Sequence, residues 1–534
     1  MKLLHLKNLI FVVFCGMFMQ AMAAAPQNVF DIWEYQIAGN SLLDQAEIES
    51  LLYPYLGPGQ NLQVIETARD RLQVLYKQKG YPIVVVSIPE QNVVAGVVKL
   101  QVIEGVIDRV KITGNEYFSR RELREELPSL TAGSPLAMNS VRAEVDEANR
   151  LNPYRSILPV IRPGRYPGTM ELELKVRDRL PLHASVETNN RYTSSTSHSR
   201  LSAAVGYDNL FQRHHSLTLG YQTSPQQPDE VNVYNITYSL PASSESRMVI
   251  YAVRSDSNVA TVTAEGDTLD VLGNGRIAGL RNIFSQRSGS QYFQSVSLGA
   301  DYKDFGETQQ LSNAQHTNDF NVPINYINWS LSYSAASRQA MSSTQFSLVN
   351  NFGLRGIANQ QAEFENKRSL AIPNYFYLQA SVAQNFNFLP ELAASYVLRG
   401  QYTQTPLISN EQISAGGVDS VRGYLESSAL GDNGLLASVE LNYLPFADKP
   451  PAHLQAFNLS VFTQAAHLRV IDALPNANNE INDRTKLWSA GVGMELQAFD
   501  GMRIKLYFAR PLYKLNQDGF DNAAKLHFNL SYDF

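Results

Sequence analysis

The chain reads as mainly β: a transmembrane antiparallel β-barrel of about sixteen strands, preceded by two small α+β domains. Three observations lead there. From Leu182 to the final Phe534, segments of roughly ten residues alternate apolar and polar side chains without helical period. After the N-terminus no run reaches the roughly eighteen apolar residues of a membrane helix. Ile37-Ala38-Gly39-Asn40 returns as Ile112-Thr113-Gly114-Asn115, 75 positions on and in matching surroundings.

The N-terminus carries a secretory signal over residues 1–23. Lys2 and Lys7 form the basic start, Leu9 to Met19 the apolar run, and Ala21-Met22-Ala23 the cleavage site. Its removal takes the formal charge from -6 to -8 and removes Cys15, the only cysteine. The mature chain then has no disulfide, no thiol nucleophile and no cysteine metal site. A negative chain also lacks the basic face expected of a nucleic-acid binder. The 27 Tyr and 24 Phe, with only 18% charged residues, suit a barrel girdled by aromatics.

Residues 28–105 and 106–180 each predict strand, helix, helix, strand, strand. The first domain offers Phe30 to Ile37, helices Gln45 to Leu52 and Leu62 to Lys79, then Pro82 to Ile88 and Val93 to Glu104. The second offers Ile107 to Ile112, helices Ser119 to Leu127 and Asn139 to Leu151, then Ser156 to Arg162 and Thr169 to Arg177. Gly39 and Gly114 supply the turn out of each first strand. A small sheet with an open edge can take up an extended chain as an added strand, through main-chain hydrogen bonds.

Over 181–534, strands are expected to start near Leu182, Arg200, Ser216, Asn232, Arg247, Thr268, Gln291, Asn325, Ser343, Tyr375, Glu391, Gly434, Gln455, Lys486, Gly501 and Lys525. The last puts Leu526, Phe528, Leu530, Tyr532 and Phe534 on one face, and His527, Asn529, Ser531 and Asp533 on the other. Its terminal aromatic, Phe534, suits recognition by barrel assembly machinery. Short turns such as Phe499-Asp500-Gly501 fit the periplasmic side. Long polar stretches such as Asn351 to Pro373 and Leu468 to Thr485 read as solvated outer loops.

One connection, around 403–432, is too long for a hairpin and contains Val421-Arg422-Gly423-Tyr424. An arginine confined in a lumen needs a carboxylate or several acceptors, and its planar fork can stack on an aromatic ring. Parity supplies candidates. Leu435, Ala437, Val439 and Leu441 form an apolar face, so Glu440 points inward, as Glu495 does on its strand.

Two such modules, the barrel, the Arg422 loop and the terminal aromatic resemble the TpsB transporters, the ShlB/FhaC/HecB family, relatives of BamA. The resemblance covers nearly all of the mature chain and makes the two modules POTRA domains. It implies an outer-membrane pore of a Gram-negative-type bacterium. Such a pore recognises an unfolded, large β-helical exoprotein (TpsA-like) through periplasmic POTRA domains and secretes it. It also implies that the Arg422 loop folds into the lumen and is held by the wall. The family's Phe-x-Asp-x-Gly motif reads Phe462-Thr463-Gln464-Ala465-Ala466 here, with Gln for Asp. The expected wall partners are therefore Phe462 by stacking, Gln464 by a neutral hydrogen bond, and Glu440 or Glu495 by charge. Many relatives carry a plug helix before the first POTRA, and too few residues separate Ala23 from Phe30 for one. Outer-membrane lipid and barrel assembly machinery are the other expected partners, with the chain a monomer and no cofactor or metal.

Enzyme motifs are absent: no phosphate-binding loop, no His-Glu-x-x-His and no Gly-x-Ser-x-Gly elbow. The competing readings are a BamA/TamA-like assembly factor and a passive porin. Two modules rather than three or five favour secretion, and a porin needs none.

Overall fold

The computed structural model describes residues 29–534 apart from 195, 244, 257–258, 265–266, 273, 290, 307, 314–315, 448, 475–480 and 516–521. The signal expected over 1–23 lies outside the described residues. The chain divides into two units, one ending at Leu180 and the other Pro181–Phe534.

The first unit is one design used twice. In the first module Glu34–Ala38 runs parallel to Val97–Ile103, and Val85–Ser87 lies antiparallel on the far side. In the second, Val106–Thr113 runs parallel to Thr169–Asp178, with Arg155–Pro163 antiparallel beyond. Helices Gln45–Leu52 and Leu62–Gln78 bury Ile48, Leu52, Ile65 and Leu72 against Val98, Leu100 and Val102. Arg120–Glu125 and Met138–Leu151 do the same with Leu123, Val141 and Val145 against Leu172, Leu174 and Val176. Asn61 and Ser119 start their helices by accepting from Val64 N–H (3.1 Å) and Glu122 N–H (3.2 Å). The first strand is shorter than Phe30 to Ile37. Trp33 and Glu34 N–H both bond the Gly96 carbonyl, the chain bends there, and Val29–Ile32 pairs instead with Gly57–Asn61.

The repeated glycines have one physical reason. Gly39 and Gly114 lie at φ +83° and +82°, and a Cβ on either would stand 2.3 or 2.4 Å from the carbonyl oxygen of Val102 or Val176. A carboxylate at the end of the last strand then collects the amides that follow. Glu104 accepts from Ser41 (2.7 Å) and Leu42 (3.0 Å), and Asp178 from Glu116, Tyr117 and Phe118 at 2.9–3.0 Å.

The second unit is a closed barrel of sixteen antiparallel strands from Leu182–Asn189 to Lys525–Asp533, the last pairing with the first. Among the described residues no helix is long and apolar enough to cross a membrane. All but one of the strands begin within two residues of the expected position. The exception is the sixth, expected near Thr268, which begins at Gly275. Asp267–Leu272 pairs with Val259–Ala264 in a separate sheet, as Thr308–Asn313 does with His316–Asn321. Alternation is the same in a barrel strand and in a hairpin beyond it; only pairing separates them. The faces follow parity: Leu435, Val439 and Leu441 are exposed, whereas Leu436 is buried and Ser438 and Glu440 are partly covered.

The stretch Asn351 to Pro373 is not a solvated loop. Asn351 still lies within strand Ser342–Gly353, and residues 354–375 fold inward around helix Gln361–Lys367. Phe364 and Ala371 are buried in one cluster with Tyr326, Tyr375, Tyr377, Leu407 and Ile408. Polar side chains that suggested solvent are anchors. Asn359 accepts from Ile327 N–H (2.8 Å) and Glu363 from Asn325 N–H (2.9 Å). Buried polar groups that find partners cost little, so composition cannot distinguish this plug from a wet loop.

Gly114→Ala is expected to cost the second module about 1–3 kcal/mol through the left-handed backbone and the Val176 contact. Hydrogen exchange of the full-length protein reads this as faster exchange confined to 106–180; unchanged exchange there would count against it.

Candidate functional site in the barrel lumen

Residues 404–432 enter the lumen from two buried carboxylates. Glu411 accepts from Lys303 Nζ (2.5 Å), the Tyr377 hydroxyl (2.6 Å) and the Tyr326 hydroxyl. Asp432, with no exposed surface, takes a two-pronged ion pair from Arg368 (2.5 and 2.8 Å). It also accepts from Leu407 N–H (2.9 Å), Gln412 Nε2 (3.0 Å) and Ile471 N–H (2.6 Å). Gln401 Nε2 donates to the carbonyls of both Glu411 and Asp432, 3.1 Å each. Ile413–Ala415 pairs with Ala429–Gly431 to make the neck. Arg368 follows the inward helix, so the plug and the lumen loop are joined by a buried charge pair.

At the tip, Arg422 is 5% exposed. Its Nη2 bonds Glu440 Oε2 at 2.6 Å, and the carbon of its guanidinium lies 3.4 Å from the Phe462 ring centre and 4.5 Å from that of Tyr507. Gln464 Oε1 accepts twice, from Arg422 Nε (3.0 Å) and its backbone N–H (2.8 Å), while Gln464 Nε2 donates to Ser438 Oγ (3.0 Å). An amide oxygen thus does the geometric work of the expected carboxylate, and the charge rests on Glu440. Sheet register puts these groups together. Glu440, Phe462, Gly491 and Ala509 stand opposite one another on four successive strands, and Ser438 faces Gln464.

The residues beside Arg422 are held as firmly. Gly423 lies at φ +95°, with a Cβ position 3.3 Å from Ala509, and its N–H donates to His527 Nε2 (2.8 Å). The Tyr424 hydroxyl accepts from Trp488 N–H (3.2 Å) and donates to the Tyr513 carbonyl. Val421 is fully buried. The loop also spans the seam where the first strand meets the last. Asp419 pairs with Arg191 (2.6 Å) and Glu426 N–H donates to the Tyr192 carbonyl (3.1 Å), both just past the first strand, while His527 lies on the last.

Of the expected partners, Glu440, Phe462 and Gln464 reach Arg422 directly. Glu495 does not. It stands opposite Lys505, and its carboxylate accepts from the Tyr507 hydroxyl, so it meets Arg422 only through that ring. Sequence reasoning missed Tyr507 and His527, although both were inward by parity; parity gives a face but not a height. It also missed Lys303, Arg368, Glu411 and Asp432, whose partners are distant in sequence.

A family model for the ShlB-type POTRA domain matches residues 30–105, and one for haemolysin secretion/activation protein ShlB/FhaC/HecB matches 168–495. The outer membrane transporter CdiB of Dickeya dadantii is 23% identical over 87% of this chain and 80% of its own. The hemolysin transporter protein ShlB of Serratia marcescens is 24% identical over 67% of this chain and 62% of its own. Among solved structures, CdiB from Escherichia coli aligns with a TM-score of 0.61 at 16% identity, covering 96% of this chain and 92% of its own. BamA from Haemophilus ducreyi lacking POTRA domains 1–3 aligns at 0.57 and 16%, covering 95% and 100%. Both structural likenesses speak to fold.

Arg368→Ala leaves Asp432 buried without its cation, a loss of about 3–5 kcal/mol. The expected result is a higher single-channel conductance of the barrel in a planar bilayer. Conductance equal to the parent's would mean the Arg368–Asp432 pair does not hold the plug.

Proposed function

The chain belongs to the haemolysin secretion/activation protein family, ShlB/FhaC/HecB, and from that premise we propose how its own residues carry out two-partner secretion. It is an outer-membrane transporter with periplasmic POTRA domains, working with a secreted exoprotein. The exoprotein is a large β-helical chain that arrives unfolded, binds a module edge, threads the lumen and folds outside. Folding outside supplies the driving force.

Edge chemistry narrows where the client adds. On Arg155–Pro163 the amide of Asn149 takes both the N–H (2.6 Å) and the carbonyl (3.0 Å) of Ile157, so the main-chain groups of Ile157 lie on the open edge of the sheet. By the two-residue period the main chain at Pro159 and Pro163 lies on that edge too and has no N–H to offer. In the first module Val85–Ser87 is only three residues long, and Gln91 covers the Lys99 N–H and carbonyl (2.7 and 2.8 Å) beside it. Strand addition therefore falls to Glu34–Ala38 and to the distal part of Val106–Thr113.

Passage requires the lumen to clear. The observation that carries this reading is that the lumen is filled by loops, 354–375 and 404–432, rather than by wall side chains alone. Arg422, Gln464, Glu440 and Phe462 form the clamp at the tip, and Arg368–Asp432 ties the two loops. Lipid covers the outer apolar face, Phe534 (71% exposed) is the handle for barrel assembly machinery, and the closed barrel works as a monomer. One feature favours an assembly-factor reading instead: the first and last strands share five residue pairs, Ser185 to Asn189 with Asn529 to Asp533, against fourteen between Tyr292–Phe305 and Ile324–Arg338.

Secretion of the exoprotein encoded alongside decides between them, with Arg422→Ala compared to the parent at equal barrel abundance. The expected result is loss of secretion with a folded barrel. Normal secretion in Arg422→Ala would remove the clamp. Normal secretion in the full deletion, with other outer-membrane barrels depleted, would install the assembly-factor reading.

A further inference from the structure

Three neighbouring strands, Leu454–Arg469, Arg484–Ala498 and Met502–Pro511, change character on their lipid-facing side at the outer end. Through the membrane this face carries Val461 and Ala465, then Val492 and Trp488, then Leu506 and Phe508. Beyond Ala465 come His467 and Arg469, beyond Trp488 come Lys486 and Arg484, and beyond Phe508 comes Arg510, all exposed. Register sets two like charges against each other, Arg469 directly opposite Arg484, and places His467 opposite Lys486. Such pairs destabilise a sheet unless something anionic lies over them. The carboxylate between the two arginines is Asp483, 3.6 Å from each Nε, so one negative charge is divided between two cations.

We propose that this basic patch binds the phosphate groups of the phosphorylated glycolipid in the outer leaflet. Charge and position both select that occupant. The arginine forks suit phosphate oxygens, in the way basic pockets bind anionic head groups. The patch sits at the end of the strands joined by the long outer connections, directly above the apolar face and the half-exposed Trp488, where acyl chains would lie. The bound lipid would brace the wall that carries Phe462, Gln464 and Tyr507 on its inner side.

Native mass spectrometry of the full-length protein in detergent tests this, with bisphosphorylated lipid A as probe. Lipid A without phosphates and phosphatidylglycerol serve as the comparison lipids. The parent is expected to retain bisphosphorylated lipid A roughly tenfold or more above either comparison lipid, and Arg484→Gln/Lys486→Gln to lose that preference. Equal retention of the three lipids by the parent overturns the proposal, and so does a preference for phosphatidylglycerol or a double variant that keeps the parent's preference. Heat-modifiable migration on gels confirms that the variant is folded; Arg510→Gln replaces it if it is not. No exoprotein enters the experiment, so its outcome is separate from that of the secretion assay.

Discussion

In hydrocarbon every backbone N–H and carbonyl must find its partner within the protein. Closure of the strand ring, with Lys525–Asp533 returning to Leu182–Asn189, meets that requirement, and most other features follow from it. Sixteen strands enclose a lumen too wide for their own side chains to fill. That space must hold water or protein, and here two inward-folded segments occupy much of it. Closure also fixes register around the ring, which is why Glu440, Phe462, Gly491 and Ala509 come to stand in one row.

Filling a lumen proposed to pass a client chain sets a conflict. An apolar plug would be stable and hard to move; a wet one would leak. The structure combines both chemistries. Phe364, Leu407 and Tyr375 supply contact area, while Glu411, Asp432 and Arg422 are charges buried with specific partners. Such pairs add little net stability when complete but are costly to break singly. They suit a filling with one well-defined arrangement. Gln464 fits the same logic. Its amide orients Arg422 through two hydrogen bonds without adding a second full charge beside Glu440.

The two POTRA-type modules use the repeated glycine turn for a related purpose. Gly39 and Gly114 let the first strand leave against the carbonyl of the last, and Glu104 and Asp178 then gather the amides of the next turn. The sheet is locked at that corner, while side-chain amides and prolines close particular edges. What stays open is a choice made by a few residues rather than a property of every edge.

The sequence by itself determined the class of fold, strand number, module repeat and the face of wall residues such as Glu440. These depend on local period and composition: alternation survives in any strand, and positive-φ glycines mark their turns. It also singled out Arg422, Glu440, Phe462 and Gln464, because parity and a family motif point to them. Only the tertiary structure decided the rest. Whether Asp267–Leu272 lies in the wall, whether Asn359 and Glu363 meet water or backbone, and whether Glu440 or Glu495 faces Arg422 depend on height and pairing. A two-residue period leaves height undetermined. Arg368 and Asp432 are 64 positions apart and carry no mark that they meet. Their pairing exists because closure of the ring folds two separate connections into the same confined space.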